Sequence, residues 1–358
     1  MNSKKRILFT GGGTAGHVIV NLALIPVYQN AGWEIDYIGS YDGIERNLIE
    51  PLEGVTYHPI STGKLRRYMS VENFKDPFKV LKGTLQAYRI IGKKKPAAIF
   101  SKGGFVSVPV VIAAKLRGVP TVIHESDYTP GLANKLSIPF AKKVLATFEE
   151  TLEFLPEQKR EHVGAVIREE LFTGSREKGL TFAQLKGDKP VLLIMGGSGG
   201  SEKINETVRR SLPQLLKQFE IIHICGHGKV NREFDQHGYI QFEYVNEELK
   251  DIFAATDYVL SRAGSNAIFE FLALRIPMLL IPLSLEASRG DQIVNARSFK
   301  EKGYARVLEE EELSEKKLVE ELQHLMTSSP VIRDKMKQFE PQASRDRVVK
   351  IIEQAMKR

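Results

Sequence analysis

Three glycine-rich turns hold the residue types best suited to a phosphorylated ligand. The first is Gly11-Gly12-Gly13-Thr14-Ala15-Gly16-His17, between an apolar run and a helix-like stretch. Glycine lets the backbone turn tightly and approach a ligand closely. The free N–H groups at the start of the following helix favour an anion such as phosphate. The Gly-Lys-Ser/Thr ending of a Walker loop is absent, and the spacing is not the dinucleotide fingerprint. Thr14 and His17 add polar groups at the ligand end. A histidine at a helix start resists protonation, so His17 is a candidate neutral base. Its plainer reading is a capping or core histidine. Ser101-Lys102-Gly103-Gly104-Phe105 is the second such turn and Gly196-Gly197-Ser198-Gly199-Gly200 the third.

Other polar groups stand at the ends of apolar runs. His124-Glu125-Ser126-Asp127 follows one and offers acid–base and hydroxyl-binding groups, against the plainer reading of a capped loop. Ser261-Arg262-Ala263-Gly264-Ser265-Asn266 follows another, and Ser265 is expected to cap the next helix. Glu270 is the one charge in that helix. If buried it needs hydrogen-bond donors, and ribose hydroxyls would supply two; otherwise it faces solvent. Ser288-Arg289-Gly290-Asp291-Gln292, with Asn295 beyond, suits sugar hydroxyls.

These residues need a frame to position them. In both halves short apolar strands alternate with helices, and the order strand, glycine turn, helix begins near residue 10 and again near residue 196. Alternating βα units predict parallel sheets with helices on both faces. Strands are expected at Arg6–Thr10, Glu34–Gly39, Ala98–Phe100, Thr121–His124, Val144–Ala146, Pro190–Met195, Tyr258–Leu260 and Met278–Ile281. The predicted domains are residues 1–165 and 166–343. A last helix, 344–358, carries one apolar face and can pack back on the N-terminal domain.

Composition narrows the class. With 358 residues and 42% hydrophobic content the chain can build two domains of ordinary size. Its single cysteine, Cys225, lies in an apolar run, which excludes a disulfide framework and a four-cysteine zinc site and points to a reducing compartment. The basic start is followed by too short an apolar stretch for an export signal. No run approaches the ~20 apolar residues that span a bilayer. The net charge of +7 favours acidic partners without choosing among them. Residues 64–95 carry ten basic and two acidic side chains. There Phe74, Phe78, Leu81, Leu85 and Tyr88 fall on one helix face beside Lys75, Lys79, Lys82 and Arg89, and Pro77 predicts a helix starting near that residue. Such a stripe suits an anionic membrane surface; alternatively it packs on its own sheet.

In family order, the stretches GGGTAGHV at 11–18, SKGGFVSVPVV at 101–111, HESDYTPGLANK at 124–135, MGGSGG at 195–200, SRAGSNAIFE at 261–270 and GDQIVNARS at 290–298 resemble glycosyltransferase family 28. The resemblance spans nearly the whole chain. It implies the α/β GT-B fold, two doubly wound Rossmann-like domains facing a cleft. It implies inverting transfer of N-acetylglucosamine from UDP-N-acetylglucosamine to undecaprenyl-diphosphate-linked muramyl-pentapeptide (lipid I to lipid II) in peptidoglycan synthesis. The 1–165 domain would bind the acceptor, with Gly13, Thr14, Gly103 and Gly104 at its diphosphate. The 166–343 domain would bind the donor. Donor contacts carried over are Thr14, Ala15, Gly16, Asp127, Arg168, Ser198, Val245, Ser265, Asn266, Glu270 and Gln292, with Arg168 and Ser198 toward the phosphates and Glu270 on the ribose. His17, Glu125 and Asp127 are the candidates for the base. No cofactor, metal or nucleic acid is implied, and the expected location is the cytoplasmic face of the cell membrane, peripherally bound. The chain departs from the family at Val20, at Gly164-Ala165-Val166-Ile167-Arg168 and at Asp127, where proline, proline and asparagine are usual. Rival readings are a diacylglycerol glycosyltransferase, a UDP-N-acetylglucosamine epimerase or a non-catalytic lipid-diphosphate-binding paralogue.

Overall fold

The computed structural model describes residues 5–63, 71–197, 199–286, 288–340 and 343–357, and it leaves out the side chains of 71–75 and 343. Two compact units form, one from residues 1–166 with 341–358 and one from 167–340.

The first unit runs β1 (Arg6–Thr10), α1 (Gly16–Asn30), β2 (Glu34–Ser40), α2 (Ile44–Ile49), β3 (Val55–Ile60), α3 (Val71–Lys94), β4 (Ala98–Ser101), α4 (Ser107–Leu116), β5 (Thr121–Glu125), α5 (Leu132–Ser137), β6 (Lys143–Ala146) and β7 (Arg160–His162). Among the described residues these strands make one sheet in the order β3-β2-β1-β4-β5-β6-β7, with parallel pairing throughout. A strand buried on both faces reads as a continuous apolar run, and β1 does so. Alternate residues feed opposite layers. Ile7 and Phe9 pack with Leu24, Tyr28 and Phe100, while Leu8 joins Ile38, Ile99 and, from α3 and α4, Ile91 and Val110. At the other end of the sheet from the glycine turns, buried Asp36 meets Arg6 at 2.7 Å, His58 at 2.6 Å and Lys94 at 3.0 Å. Burial works against its ionised form, but these three partners bring its pKa down to about 2.

The second unit runs α6 (Arg176–Phe182), β8 (Val191–Met195), α7 (Glu202–Leu215), β9 (Glu220–Ile224), β10 (Tyr239–Phe242), α8 (Leu249–Ala255), β11 (Tyr258–Ser261), α9 (Ser265–Ala273), β12 (Met278–Leu280), α10 (Asp291–Glu301), β13 (Ala305–Val307) and α11 (Glu315–Met336). Its described strands form a parallel sheet in the order β10-β9-β8-β11-β12-β13. The chain then re-enters the first unit as α12 (Ala343–Met356). Val348 and Ile352 of α12 are fully buried in the core layer that holds Phe9.

In each sheet the chain leaves the central strand in one direction and later returns on its other side. Open α/β sheets bind ligands at the carboxyl ends of the strands at this switch point. In the first unit it lies between β1 and β4, and in the second between β8 and β11. The first and third glycine turns leave from β1 and β8, and the second from β4.

Two local expectations are corrected. The helix through Pro77 begins at Val71, so the proline sits inside α3 and costs it one backbone hydrogen bond. The cap of α9 is Gly264, in extended conformation, and Ser265 is the first helical residue with no side-chain capping bond.

Candidate functional site

In the first unit Thr10 pairs with Ser101, and Ser101 with Ile123. The two glycine turns and the His124–Asp127 loop therefore emerge side by side. The turns also bond to each other. The Gly12 amide donates to the Gly103 carbonyl at 3.2 Å and the Lys102 amide to the Thr10 carbonyl at 2.9 Å. Gly104 has φ +82°, and a Cβ there would lie 2.1 Å from the Gly12 carbonyl oxygen. Only glycine allows that approach. Gly13, at φ +86°, has open space where a Cβ would be. Thr14 is exposed, and Ala15 and Gly16 are half-buried.

His17 is half-buried in the first turn of α1. Its Nδ1 lies 2.9 Å from the Gly12 carbonyl and 3.1 Å from the Thr14 hydroxyl. A carbonyl only accepts, so in the neutral ring Nδ1 carries the proton and Nε2 the lone pair. Burial, with Lys102 second, lowers the His17 pKa to about 4. Desolvation and the neighbouring ammonium both favour the neutral ring.

Glu125, the last residue of β5, is buried. One oxygen accepts from the Asp127 amide at 3.0 Å, the other from the Gly131 amide and the Asn134 Nδ2 at 2.9 and 2.8 Å. Burial and Asp127 raise its pKa against Lys102. Both oxygens are committed to shaping the loop. Asp127 is half-buried beside them, and its carbonyl accepts from the Thr151 hydroxyl at 3.2 Å.

The second unit repeats the plan. After β8 the third glycine turn leads to Ser201, which caps α7 by accepting from the Ile204 amide at 3.4 Å. Gly200 has φ +66°, and a Cβ there would lie 1.9 Å from the Cys225 carbonyl oxygen. Ser198 lies outside the described residues. Glu270 is 4% exposed, so it does not face solvent. Its Oε1 accepts from Arg168 Nε at 3.0 Å. Burial raises the Glu270 pKa, opposed by Arg168. Burial works against the charged form of Arg168, yet Glu270 holds its pKa above the usual value. Sequence reasoning aimed these two side chains at different parts of a ligand; the structure pairs them across 102 residues.

Ser265 is buried and Asn266 half-buried at the start of α9. Val245 is buried in the loop after β10. Gln292 accepts from the Leu283 amide at 3.1 Å, and Gly290 caps α10 at φ +84°. Sequence reasoning missed Arg262, which braces these loops. It donates to Ser201 Oγ at 2.7 Å, to the carbonyls of Ile281 and Pro282 at 3.2 Å each, and to Glu310. Glu310 also accepts from the Ser284 amide at 3.2 Å.

Two phosphate-suited strand mouths on doubly wound sheets are the equipment of a nucleotide-sugar transferase. The sequence profile of the glycosyltransferase family 28 N-terminal domain matches residues 7–146, and that of the glycosyltransferase family 28 C-terminal domain matches residues 191–354. The chain belongs to glycosyltransferase family 28, and its fold is GT-B.

Among its relatives, a protein of Oceanobacillus iheyensis is 73% identical over 357 residues, covering 100% of both chains. One of Geobacillus thermodenitrificans is 62% identical over 316 residues, 88% of this chain and 89% of that one. Both are named UDP-N-acetylglucosamine–N-acetylmuramyl-(pentapeptide) pyrophosphoryl-undecaprenol N-acetylglucosamine transferase. The crystal structure of Acinetobacter baumannii MurG superposes with a TM-score of 0.76 at 24% identity, covering 98% of this chain and 100% of that one. At that identity the likeness concerns the fold.

Proposed function

We propose that the chain transfers N-acetylglucosamine from UDP-N-acetylglucosamine to undecaprenyl-diphosphate-linked muramyl-pentapeptide, converting lipid I to lipid II in peptidoglycan synthesis. The observation that carries this reading is the 73% identity, end to end, with a relative named for that transfer. That similarity favours it over lipid glycosylation, epimerisation and a non-catalytic role.

The acceptor sugar's hydroxyl oxygen attacks the anomeric carbon. The C–O bond to the diphosphate breaks, UDP leaves, and the hydroxyl proton passes to a base. His17 is our choice for that base, because Nε2 carries a lone pair and the ring stays neutral above about pH 4. Both Glu125 oxygens are engaged, and Asp127 is the rival. Thr14, Ala15, Gly16 and Asp127 of the first unit are carried over from the family resemblance as further donor contacts. In the second, Glu270 holds the ribose, Arg168 steadies Glu270, and Val245, Ser265, Asn266 and Gln292 line the nucleoside and sugar. Ser198 and the amides of the third glycine turn receive charge growing on the leaving diphosphate. The turns at Gly13–Thr14 and Gly103–Gly104 receive the acceptor.

The chain works peripherally, at the cytoplasmic face of the membrane. Among the described residues no helix is long and apolar enough to cross a bilayer. On α3 Phe78, Leu81 and Leu85 are 75%, 60% and 53% exposed, with Lys79, Lys82 and Arg89 exposed among them. Tyr88 lies under Arg117, 3.6 Å from it. Phe74 and Lys75 belong to the side chains outside the description. An anionic lipid surface suits this patch.

The test is incubation with labelled UDP-N-acetylglucosamine and lipid I, followed by extraction of lipid. Label in the lipid fraction is expected. A soluble sugar epimer, or donor binding with no labelled lipid, would sink the reading.

A further inference from the structure

The two glycine turns of the first unit differ in electrostatic character. Beneath the first lies Glu45 of α2, fully buried. Its Oε2 accepts from the Gly13 amide at 2.9 Å, and its Oε1 from the Ser40 amide at 2.9 Å and the Ser40 hydroxyl at 2.5 Å. A Cβ on Gly12 would lie 2.3 Å from the Glu45 carboxyl carbon. The Gly13 N–H is therefore already spent on a carboxylate. That carboxylate sits directly under the backbone where an incoming phosphate would rest, and like charges at close range repel.

The second turn is the opposite case. Lys102 is 2% exposed, and its ammonium makes no hydrogen bond or ion pair with any described residue. A buried ammonium without a directly bonded anion is costly. Lys102 follows β4, the strand between β1 and β5. This puts it at the switch point, with His17 on one side and the Glu125–Asp127 loop on the other. Electrostatic coupling to Glu125 and Asp127 is consistent with this placement, and burial lowers the lysine's pKa. Glu125 is held by three other donors, so it does not neutralise Lys102 through a direct bond. Gly103 and Gly104, at φ +98° and +82°, keep the adjoining backbone free of side chains.

We propose that Lys102 is the principal anion-binding group of the first unit, and that it, not the first glycine turn, takes the diphosphate of the lipid-linked acceptor. The first turn, with its Gly13 amide committed to Glu45, receives uncharged sugar and holds His17. The assignment rests on the transfer reading above and divides labour between two turns that look equivalent in sequence.

The experiment uses the full chain and the variants Lys102→Met and Lys102→Arg, each checked for an unchanged melting profile. A lost charge-assisted contact raises the KM for lipid I by about tenfold to a hundredfold in Lys102→Met. The KM for UDP-N-acetylglucosamine should stay within about twofold, and Lys102→Arg should recover most of the loss. A purely structural role would not confine the change to one substrate or be rescued by arginine. Inorganic pyrophosphate is titrated calorimetrically with UDP saturating, so that the donor's own phosphate site is filled. The wild type should bind it and Lys102→Met should not. Equal pyrophosphate affinity in the two, no pyrophosphate binding by the wild type over UDP, or an unchanged lipid I KM in Lys102→Met overturns the assignment. If the wild type moves no sugar to lipid I, the transfer reading fails, while the pyrophosphate titration still judges Lys102.

Discussion

His17 owes its tautomer to its own turn and its neutrality partly to a distant part of the chain. The Gly12 carbonyl fixes the tautomer. Burial and Lys102 hold the ring neutral, while Asp127 and Glu45 pull the other way without prevailing. The sign of the pH dependence follows. His17 is deprotonated above about pH 4, so its protonation removes activity only as pH falls through that value. Between about pH 5 and 7 the wild-type kcat should not reveal His17. Removing the Lys102 charge takes away the second cause of the lowering and leaves burial in place, so the acid limb of Lys102→Met should move up from its wild-type position. Rates across buffers of constant ionic strength check this; an acid limb in the same place in both proteins refutes it. Little of this was legible beforehand. The glycines and His17 stand together in sequence, but Glu45 lies 32 residues from the amide it occupies. Nothing in the types or spacing of Lys102 and Asn134 marks one as a cation with no bonded partner among the described residues and the other as a partner of Glu125.

At the scale of elements, apolar runs such as Val191-Leu192-Leu193-Ile194 were readable because strands buried on both faces are mostly apolar. The edge strands were not: Arg160-Glu161-His162 of β7 has no hydrophobic signature, and its pairing with β6 comes from the register of the sheet. Arg168 with Glu270, and Arg262 with Glu310, were invisible for a related reason, since pairs 102 and 48 residues apart are set by topology, not spacing. The face of α3 was readable as a stripe, and its meaning turns on exposure. Inward, Ala87 and Ile91 of α3 are buried. Outward, Phe78, Leu81 and Leu85 are more than half exposed, which is unfavourable for a surface in water unless something else covers them. Replacing all three by serine should reduce binding to vesicles containing anionic phospholipid by about tenfold or more, as read by co-sedimentation. Wild-type binding should weaken with added salt, because Lys79, Lys82 and Arg89 contribute through screened attraction. Unchanged vesicle binding by the serine variant would remove α3 as the docking element.

At the scale of the molecule the two compact units are not two consecutive stretches of chain. Residues 167–340 form one unit, and the chain then gives its final helix to the other. In α12 Val348 and Ile352 are fully buried, Ile351 is 7% exposed and Ala355 4% exposed. All four lie in the core layer with Phe9, Leu24 and Phe100. The ammonium of Lys142 also donates to the carbonyls of Ala355 and Lys357 at 2.9 Å each, tying down the helix end. Fully burying a valine or isoleucine contributes about 1.5–3 kcal/mol, so the three branched side chains are a large share of the stability of a domain this size. A chain ending at residue 340 should therefore unfold in two steps, as multidomain proteins can. The step belonging to residues 5–166 should come at markedly lower temperature or urea, and that of residues 167–340 should keep its place. UDP should still raise the second transition by mass action, because Arg168, Glu270 and Gln292 all lie in the unit left whole. Calorimetry with and without UDP makes the comparison. A single unshifted transition, or a loss shared equally by both units, would mean that α12 is not part of the first unit's core.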